Sequence, residues 1–407
     1  MRALCPPSFC SIMLPVKILV VCQFYYPEHF SITDVARGFV EAGHEVLVVT
    51  GKPNYGYGRI LDGYQDVTDE VIHGVRVHRC KLYPRKKSKL SICRNYLSFW
   101  RNSKRYLRHL KEEFDVVYSM SLSPLISIVG GTIYARKHHV RHVLHCLDLW
   151  PESPVATKAI HEGSLPYRLL HHWSRKIYSG LDRILISSPS FERYFRENLH
   201  VNNVPIEYVP QPPMLGNATE TVRYSHKVNI VYAGNIGTLQ LVEDFVKAIA
   251  LVKDKIDIGF AIIGMGTRVD ALRQLISSLK LEDHVSFHGI KTRDATAGYY
   301  LNATGIVVSL ADKGWVGKTI PGKLNGALSY GRPILGCLSG DGKAILEETG
   351  GAVIAESESV EDIAKAMLEL GGKSESELAE MGKRNRRYFE ENFATKCVVD
   401  KILNQII

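Results

Sequence analysis

The chain has 407 residues, of which 45% are hydrophobic, and its formal net charge at pH 7 is +9. This length exceeds what one core supports and predicts two domains of similar size. The eight cysteines are scattered without a C-x-x-C pair, which excludes an ordered disulfide framework, argues against zinc and favours a reducing compartment. No stretch reaches the roughly twenty apolar residues of a membrane-spanning helix.

The pattern of strand, polar loop and amphipathic helix occurs twice in the chain. Residues 1–15 lack the apolar core of a secretion signal, and we expect them to be a disordered leader with Met13 as an alternative start. The first pattern follows, with a strand at 17–24, a loop at 25–31 and a helix from about Thr33. The second has a strand at 228–233, a loop at 234–238 and then a helix. This repetition predicts two doubly wound α/β domains, which bind nucleotides at the carboxyl ends of their strands.

The remaining elements place a domain boundary near the middle of the chain. Further strands are predicted at 45–50, 75–80, 116–119, 140–146, 183–187, 206–209, 258–263, 285–287, 306–309, 334–338 and 352–355. Helices of the second half are predicted at 241–252, 269–279, 323–330, 343–348 and 360–370. The segment 211–226 is rich in proline and lacks periodicity, which predicts a linker between domains at 16–210 and 227–390.

The positive charge is concentrated between Lys81 and Lys111. This stretch holds eleven Lys or Arg residues and no Asp or Glu, and aromatic residues such as Tyr96 and Trp100 are interleaved with them. Cations among aromatic and apolar residues are typical of a segment that binds the headgroup layer of an anionic membrane. A solvated helix face is the alternative interpretation. Nucleic acid is a weaker one, because no nucleic-acid-binding motif accompanies the patch.

Two glycine turns in the second half favour close approach of a ligand to backbone. The turn 234–238 joins a strand to a helix, so we expect free N–H groups there to hold a diphosphate. Gly266 belongs to a second such loop, Gly264-Met265-Gly266. The spacing is not G-x-G-x-x-G, and tight packing is the alternative role.

A short segment before the helix at 323–330 carries two lysines. Thr319-Ile320-Pro321-Gly322-Lys323 leads into this helix, and Lys318 precedes the segment. Lysines at a helix start suit an anion, so Lys318 and Lys323 are predicted to bind phosphate. A solvated surface position is the alternative for either one alone.

Polar residues also follow the predicted strands of the first half. Asp148 and Glu152 lie after the strand at 140–146, where they could accept a proton or a sugar hydroxyl, and Trp150 offers an apolar platform. A helix cap for Asp148 and a core position for Trp150 are the alternatives. His29 and Ser31 follow the first strand and are predicted to contact the reacting end of a substrate.

The loop at 52–58 is rich in Gly and Tyr and contains Asn54 and Tyr55, which predicts a substrate-side loop. The histidines form no recognised ligand set, so we expect no metal.

Several motifs resemble those of one known family. They are Gly43-His44-Glu45-Val46, Tyr232-Ala233-Gly234-Asn235-Ile236-Gly237 and Gly331-Arg332-Pro333. With the two-domain layout, they resemble the retaining glycosyltransferases of family 4, whose GT-B fold has two Rossmann-like doubly wound domains facing a central cleft. The resemblance covers nearly the whole chain from Val16 onward.

A second set of motifs is similar to the L-fucosamine-transferase-like branch of bacterial surface-polysaccharide pathways. These motifs are Tyr26-Pro27-Glu28, Pro53-Asn54-Tyr55, Asp148-Leu149-Trp150-Pro151-Glu152-Ser153 and Pro321-Gly322-Lys323-Leu324. The glycine turns are common to many proteins, whereas the D-L-W-P-E-S motif is specific.

The resemblance implies a metal-independent transfer of a sugar from a nucleotide donor to a hydroxyl, with retention at the anomeric carbon and without a cofactor. It implies a donor on the C-terminal domain, an acceptor on the N-terminal domain, and a helix at 391–407 that crosses back to the latter.

Residue by residue, the resemblance and the motifs together assign three groups. The catalytic candidates are Asp148 and Glu152. The donor-binding candidates are Gly234, Asn235, Gly237, Gly266, Ile290, Lys318, Thr319, Pro321, Gly322, Lys323 and Leu324. The candidates for the acceptor or sugar side are His29, Ser31, Asn54, Tyr55, Arg94 and Trp150.

The chain departs from the family pattern at the ribose and at the phosphates. Many members carry a pair of glutamates where this chain has Lys318 and Gly326, so ribose recognition must differ. Asn235 and Gln240 stand where many relatives have Arg and Lys. Lys318 and Lys323 are therefore expected to carry most of the phosphate-binding charge.

Together these features predict a glycosyltransferase that moves an N-acetylated deoxyhexosamine from a UDP donor. The expected acceptor is an undecaprenyl-diphosphate-linked or similar lipid-linked saccharide of O-antigen, capsule or exopolysaccharide assembly. The protein is expected to be cytoplasmic and peripheral on the inner face of the cytoplasmic membrane, held through 81–111. The alternatives are a UDP-N-acetylhexosamine epimerase of the same fold and a non-catalytic nucleotide-sugar binder.

Overall fold

The computed structural model of the chain describes residues 14–86, 88–156, 158–218 and 220–407. The expectation for the leader at 1–15 lies almost entirely outside these residues. Contacts divide the chain into two compact units. Unit 1 comprises the residues up to Pro212 together with Thr395–Ile407, and unit 2 comprises Pro213–Ala394.

Unit 1 is built on one eight-stranded sheet. Its strands are β1 (Lys17–Val21), β2 (Glu45–Gly51), β3 (Asp69–Ile72), β4 (Val75–Cys80), β5 (Val116–Ser121), β6 (Arg141–Cys146), β7 (Arg183–Ile186) and β8 (Ile206–Tyr208). Their order is β3-β4-β2-β1-β5-β6-β7-β8, and only β3 runs antiparallel to its neighbour. The sequence analysis missed β3, an edge strand with two acidic residues in place of an apolar run.

Helices cover both faces of this sheet, as parallel strands require. The helices are α1 (Ile32–Glu41), α2 (Lys89–His109), α3 (Val129–His138), α4 (Glu152–Ala156), α5 (Leu165–Tyr178) and α6 (Ser190–Arg193). A 3₁₀ turn, Leu125–Ile128, precedes α3, and a π-helical turn, Tyr194–Asn198, follows α6.

Successive side chains of the central strands pack on opposite faces of the unit 1 sheet. Ile18 and Val20 pack with Phe39 of α1, whereas Leu19 and Val21 pack with the α2–α3 layer. The connections β5–α3–β6 and β6–α5–β7 both step in the same direction along the sheet. Since such crossovers are right-handed, α5 lies on the same face as α3.

Unit 2 has a six-stranded sheet in which every strand is parallel to its neighbours. The strands are β9 (Val228–Asn235), β10 (Ile258–Met265), β11 (Val285–Phe287), β12 (Gly305–Ser309), β13 (Ile334–Cys337) and β14 (Ala352–Ile354), in the order β11-β10-β9-β12-β13-β14. Their apolar runs match the strands predicted from the sequence within two residues at each end.

Eight helices of unit 2 lie among the described residues. They are α7 (Val242–Val252), α8 (Val269–Ser278), α9 (Arg293–Asn302), α10 (Gly314–Gly317), α11 (Gly322–Leu328), α12 (Gly340–Thr349), α13 (Val360–Gly372) and α14 (Glu375–Asn392). Helix α9 was not predicted, because its apolar residues do not form a continuous stripe. Its start is capped by Thr292, whose hydroxyl accepts from Ala295 N at 3.2 Å.

The last helix, α15 (Thr395–Ile406), packs within unit 1. Val398, Val399 and Ile402 join the cluster that contains Phe39 of α1. Arg141 of β6 donates hydrogen bonds to the carbonyls of Ile406 and Ile407 at 2.9 and 3.0 Å. The chain thus returns at its end to the unit in which it began.

Both units are therefore Rossmann-like α/β domains with largely or wholly parallel sheets. Within the part of the chain that is described, no helix combines the length and the apolar character needed to cross a bilayer.

Candidate active site

The carboxyl edge of the unit 2 sheet brings together three loops that the sequence analysis assigned to the donor. The end of β9 pairs with the end of β10, with Gly234 opposite Gly264 and Asn235 opposite Met265. The turn after β11 joins them, since Gly264 N donates to Gly289 O at 2.7 Å. These loops form one continuous backbone surface.

Glycine is required where these loops touch. A Cβ added at Gly264 would lie 1.8 Å from the carbonyl oxygen of Gly234, and one at Gly266 would lie 2.0 Å from that of Ile236. No side chain fits at such distances. The glycine turns therefore have a packing role of their own, which was the alternative interpretation of the sequence.

Lys323, at the start of α11, extends its side chain to the end of β9. Its ammonium group donates to the hydroxyl of Tyr232 and lies 3.9 Å from the centre of that ring. A Cβ at Gly234 would lie 2.6 Å from Lys323 Cε, so glycine at 234 makes room for the lysine. The sequence analysis named both residues but did not predict that they touch.

The Lys323 ammonium has no carboxylate partner among the described residues. Tyr232 offers only a hydroxyl and the negative face of its ring. Burial therefore acts almost unopposed and lowers the pKa of Lys323 to about 7. A nearby anion would remove this penalty, which makes the position suited to a phosphate group.

The turn 234–238 differs from its prediction. The helix after it was predicted at 241–252 and is found at Val242–Val252, but the N–H groups of the turn were expected to be free. The amide of Gly237 donates to Gln240 Oε1 at 3.0 Å, and Asn235 Nδ2 donates to the same oxygen at 3.1 Å. The Gln240 side chain thus occupies hydrogen-bonding groups that the sequence analysis reserved for a diphosphate.

The other donor candidates differ in how far they are exposed to solvent. Lys318 and Gly322 are exposed, and the Thr319 hydroxyl donates to Val316 O at 2.9 Å. Leu324 is fully buried in the core, so it positions α11. Ile290, in contrast, is 67% exposed, and Met265 beside it in the same surface is 57% exposed. Pro321 is the residue immediately before α11.

In unit 1, Asp148 lies in the loop between β6 and α4. Its carboxylate has no hydrogen-bond or ion-pair partner among the described residues, and burial raises its pKa to about 6. An acid with this pKa is largely ionised at pH 7.5 and still a good hydrogen-bond acceptor. The cap role considered for Asp148 has no counterpart in the structure, since no hydrogen bond from α4 reaches it.

The same loop holds Glu152 in a different way. One carboxylate oxygen of Glu152 accepts from the hydroxyls of Tyr167 and Tyr194, each at 3.0 Å. Glu152 is buried, so these tyrosines fix the end of the loop to α5 and to the π-helical turn. Trp150 is anchored similarly, since its Nε1 donates to Ser123 Oγ at 2.9 Å.

The acceptor-side candidates divide into exposed and buried residues. Exposed are His29, Tyr55 and Arg94, and the Arg94 guanidinium lies 5.8 Å from the ring of Tyr83. Ser31 is buried, with its hydroxyl directed at Met120 Sδ, and Asn54 is fully buried.

Asn54 is the centre of a buried network. Its Oδ1 accepts from Asn95 Nδ2 at 3.0 Å and from Arg85 N at 2.9 Å. Glu28 accepts from the amides of Asn54 and Tyr55 at 2.6 Å each, and desolvation raises the pKa of Glu28. This network positions the loop that presents Tyr55.

A buried cation holds the neighbouring loop. Arg79 of β4 is fully buried, pairs with Glu70 of β3 and donates to the carbonyl of Tyr26 at 2.5 Å. Its guanidinium also lies 4.7 Å from the ring of Tyr64. Every partner belongs to unit 1, so Arg79 ties the loop after β1 to the sheet.

The sequence analysis missed Tyr232, Tyr167, Tyr194 and Arg79. Tyr232 stood inside a quoted motif, and its polar hydroxyl among apolar neighbours in β9 was a usable signal. Tyr167 and Tyr194 reach Glu152 from positions 15 and 42 residues away, and nothing local indicates that pairing. Among the described residues, no group of three or more His, Cys, Asp or Glu side chains is placed to hold a metal ion.

Two Rossmann-like units with largely or wholly parallel sheets are the architecture of the GT-B class of glycosyltransferases. The family model described as "Glycosyl transferase 4-like domain" matches residues 30–212, and the one described as "Glycosyl transferases group 1" matches residues 227–372. The chain belongs to the family 4 glycosyltransferases, and it is a glycosyltransferase.

Individual relatives agree with this assignment. A probable glycosyltransferase, WbjE of Pseudomonas aeruginosa, is 24% identical over 301 residues, which cover 70% of this chain and 73% of WbjE. Sucrose-phosphate synthase from Thermosynechococcus elongatus has a similar fold, with a TM-score of 0.73, 15% identity and coverage of 96% of this chain and 98% of the synthase. Anabaena HepE, solved with UDP and glucose, gives a TM-score of 0.67 at 12% identity and covers 96% of this chain and 99% of its own.

Proposed function

We propose that this glycosyltransferase transfers a sugar from a UDP donor, with retention at the anomeric carbon and without a metal, to a lipid-linked saccharide. The expected sugar is an N-acetylated deoxyhexosamine, and the expected pathway is O-antigen, capsule or exopolysaccharide assembly. Unit 2 binds the donor and unit 1 binds the acceptor.

One observation carries the donor assignment: the partly buried ammonium of Lys323 has a lowered pKa and no anionic partner among the described residues. A diphosphate supplies the missing charge, and it does so at the edge where parallel sheets bind nucleotides. The complex of HepE with UDP and glucose supports a uridine nucleotide. The exposed side chains of Met265 and Ile290 offer apolar surface to the base.

Ribose recognition follows a different route from that of many family members. Helix α11 has the sequence GKLNGAL and carries no acid. At Gly326, a Cβ would meet only the carbonyl of Met214 at 3.9 Å, so open space replaces the usual glutamate. We expect backbone groups of the loops after β9 and β10 to contact the ribose.

The chemistry requires an acceptor hydroxyl to attack the anomeric carbon while the bond to the diphosphate breaks, and the proton of that hydroxyl passes to an oxygen of the departing diphosphate. The Asp148 carboxylate accepts a hydrogen bond from this hydroxyl and aligns it, since it has no competing partner among the described residues. The Lys323 ammonium stabilises the charge that develops on the departing diphosphate. Glu152 acts on the position of the loop that carries Asp148, through its two tyrosines.

The acceptor's lipid implies a membrane partner, and the basic stretch 81–111 fits one. Helix α2 buries Asn95, Phe99, Ser103 and Leu107 on one side. Its opposite side exposes Leu90 at 61% and Leu97 at 52%, with Arg94, Arg101 and Arg105 between and beyond them. Such a surface suits the inner face of an anionic membrane. Vesicle binding through it should fall steeply with salt, and equal binding to neutral and anionic vesicles would contradict this assignment.

A donor panel tests the proposal most directly. Thermal unfolding is measured with UDP, GDP, dTDP and their sugar nucleotides, and UDP compounds are expected to raise the midpoint most. The preferred donor is then incubated with a lipid extract that contains lipid-linked saccharides. UDP release only when the extract is present supports transfer. A sugar altered by the enzyme and donor alone would indicate an epimerase, and binding without release would indicate a non-catalytic binder.

A further inference from the structure

Helix α5 exposes an apolar ridge that the proposed function leaves unused. Leu165 is 71% exposed, Leu169 is 56% exposed and Trp173 is 58% exposed. These residues are four positions apart, so they form one row along the helix. Three large apolar side chains in a row at this exposure are unusual for a surface that faces only water.

The opposite side of α5 is fixed to unit 1, which determines the direction of the ridge. Tyr167 donates to Glu152 at 3.0 Å, and His171 Nε2 lies 3.1 Å from the carbonyl of Asn198. Ser174 and Tyr178 are buried. Because these four residues occupy one side of the helix, the ridge lies on the outward side and is a fixed feature of the fold.

A row of cations runs beside the ridge. Arg168, His172 and Arg175 are exposed at helical spacing, and Lys176 is exposed close to Leu165 and Leu169 around the helix. Helix α5 contains no Asp or Glu, and no ion pair of its cations occurs among the described residues. The outward side of α5 therefore carries the apolar ridge with a row of cations along one flank.

Two other helices on the same face of the sheet also carry basic but no acidic side chains. Helices α2 and α3 contain no acid, and Lys137 of α3 donates to the carbonyl of Arg108 of α2 at 3.1 Å. The other face differs, since α1 carries Asp34, Arg37 and Glu41. Helices α2, α3 and α5 thus form an acid-free part of this helical layer, which ends at Glu192 of α6 and Glu197 of the π-helical turn, and α5 exposes the largest apolar side chains of the three.

We propose that the α5 ridge, formed by Leu165, Leu169 and Trp173, inserts into the headgroup layer of an anionic lipid bilayer. Leucine side chains enter the acyl boundary, and Trp173 occupies the interface that tryptophan prefers. Arg168, Arg175 and Lys176 contact lipid phosphates. A second copy of this chain fits less well, because a symmetric contact would bring two rows of cations together. The proposal goes beyond the function above, since α5 is separate from the stretch 81–111.

Vesicle sedimentation with a triple variant tests the ridge. The full chain is mixed with vesicles of phosphatidylcholine and phosphatidylglycerol, and the variant carries Leu165→Gln, Leu169→Gln and Trp173→Gln. We expect its partition coefficient to fall by about tenfold or more. Leu251→Gln, at an exposed leucine of α7 in unit 2, is the matched control and should bind like the parent. Unchanged binding of the triple variant would overturn the proposal.

Fluorescence locates the ridge in the bilayer without altering all three residues. Lipids with brominated acyl chains should quench the parent protein, and Trp173→Phe should lose most of that quenching while Trp100→Phe retains it. Quenching that persists fully in Trp173→Phe would contradict insertion at α5. Sedimentation equilibrium without lipid provides a further check, since a dimer that the triple variant dissociates would assign the ridge to a second copy instead.

Vesicle binding of a charge variant tests the cations beside the ridge independently. Replacing Arg168, Arg175 and Lys176 with Gln should weaken binding to anionic vesicles by about fivefold for each cation that contacts lipid, with little effect on neutral vesicles. The corresponding α2 variant at Arg101, Arg105 and Arg108 tests the stretch 81–111 separately. A loss in α2 alone would overturn the α5 proposal and leave the proposed function standing. Every variant should keep the parent's thermal response to UDP.

Discussion

Arg79 in unit 1 and Lys323 in unit 2 are two cations near the carboxyl ends of their sheets, the first fully buried and the second partly buried, and they are held in different ways. Arg79 in unit 1 is surrounded by a carboxylate, two carbonyl oxygens and the ring of Tyr64. Lys323 in unit 2 has only the ring and hydroxyl of Tyr232. A buried cation with its partners supplied within the fold is structural, whereas one without an anion is prepared for a ligand.

Removing Arg79 should have the largest effect on stability. Arg79→Met leaves the Glu70 carboxylate beside an apolar side chain and releases the carbonyl of Tyr26. We expect a loss of about 3 kcal/mol, at the low end for a broken buried pair because Glu70 is partly exposed. Thermal unfolding of the full chain measures it. A midpoint equal to that of the parent would show that Arg79 is dispensable and would break the comparison.

Removing Lys323 should affect binding and spare the fold. Lys323→Met keeps the stem packed on Tyr232 but removes the charge, so UDP binding should weaken by about 1.5–3 kcal/mol, the range for a charged hydrogen bond. The unliganded variant should unfold at the parent's temperature or slightly above it. Calorimetric titration with UDP measures the change, and Lys247→Met, in an exposed ion pair on α7, is the control. Identical UDP affinities of the parent and Lys323→Met would show that Lys323 does not contribute to UDP binding.

Asp148 is the acidic counterpart of Lys323, and its prediction concerns both stability and turnover. Its folded pKa of about 6 lies above the ordinary 3.8, so the folded state binds the proton more tightly and ionisation above pH 6 is destabilising. Asp148→Asn should therefore be more stable than the parent by on the order of 2 kcal/mol at pH 7.5.

The pH dependence separates this explanation from a general packing effect. The advantage of Asp148→Asn should shrink as the pH falls from 6 towards 4 and vanish below the unfolded pKa. Asp148→Ala should retain UDP binding and lose turnover. Full turnover in either variant would exclude Asp148 from aligning the acceptor.

The smallest expected effect is the pH dependence of UDP binding in the parent. Lysine with a pKa of about 7 is mostly charged at pH 6 and mostly neutral at pH 8, so affinity should fall about tenfold over that interval. Proton uptake should accompany binding near pH 7. Calorimetry in buffers of different ionisation enthalpy measures the UDP affinity and the proton uptake. Lys323→Met should show neither the pH dependence of the affinity nor the proton uptake. A flat profile in the parent would mean that another group holds the diphosphate.

The sequence by itself determined the fold of each unit. Apolar runs such as residues 258–263 of β10, each followed by a polar loop, are typical of buried parallel strands, and burial on both faces leaves little freedom in their pairing. Several elements with a weak signal or none were not predicted, among them the acidic edge strand β3 and the weakly patterned α9. The positions of Asp148 and Lys323 at strand or helix ends followed from the same local pattern.

The tertiary structure alone decided which of these residues lack partners. The Gln240 side chain accepts a hydrogen bond from the amide of Gly237. Two tyrosines distant in the sequence donate hydrogen bonds to Glu152, and Asn54 is buried in a hydrogen-bond network with Asn95. The pairings of Glu152 and Asn54 join side chains far apart in the chain, and their contact depends on how helices pack on a sheet, which no local pattern encodes. The pKa of Lys323 and the outward direction of the α5 ridge have the same origin, since burial and exposure are properties of the packed chain.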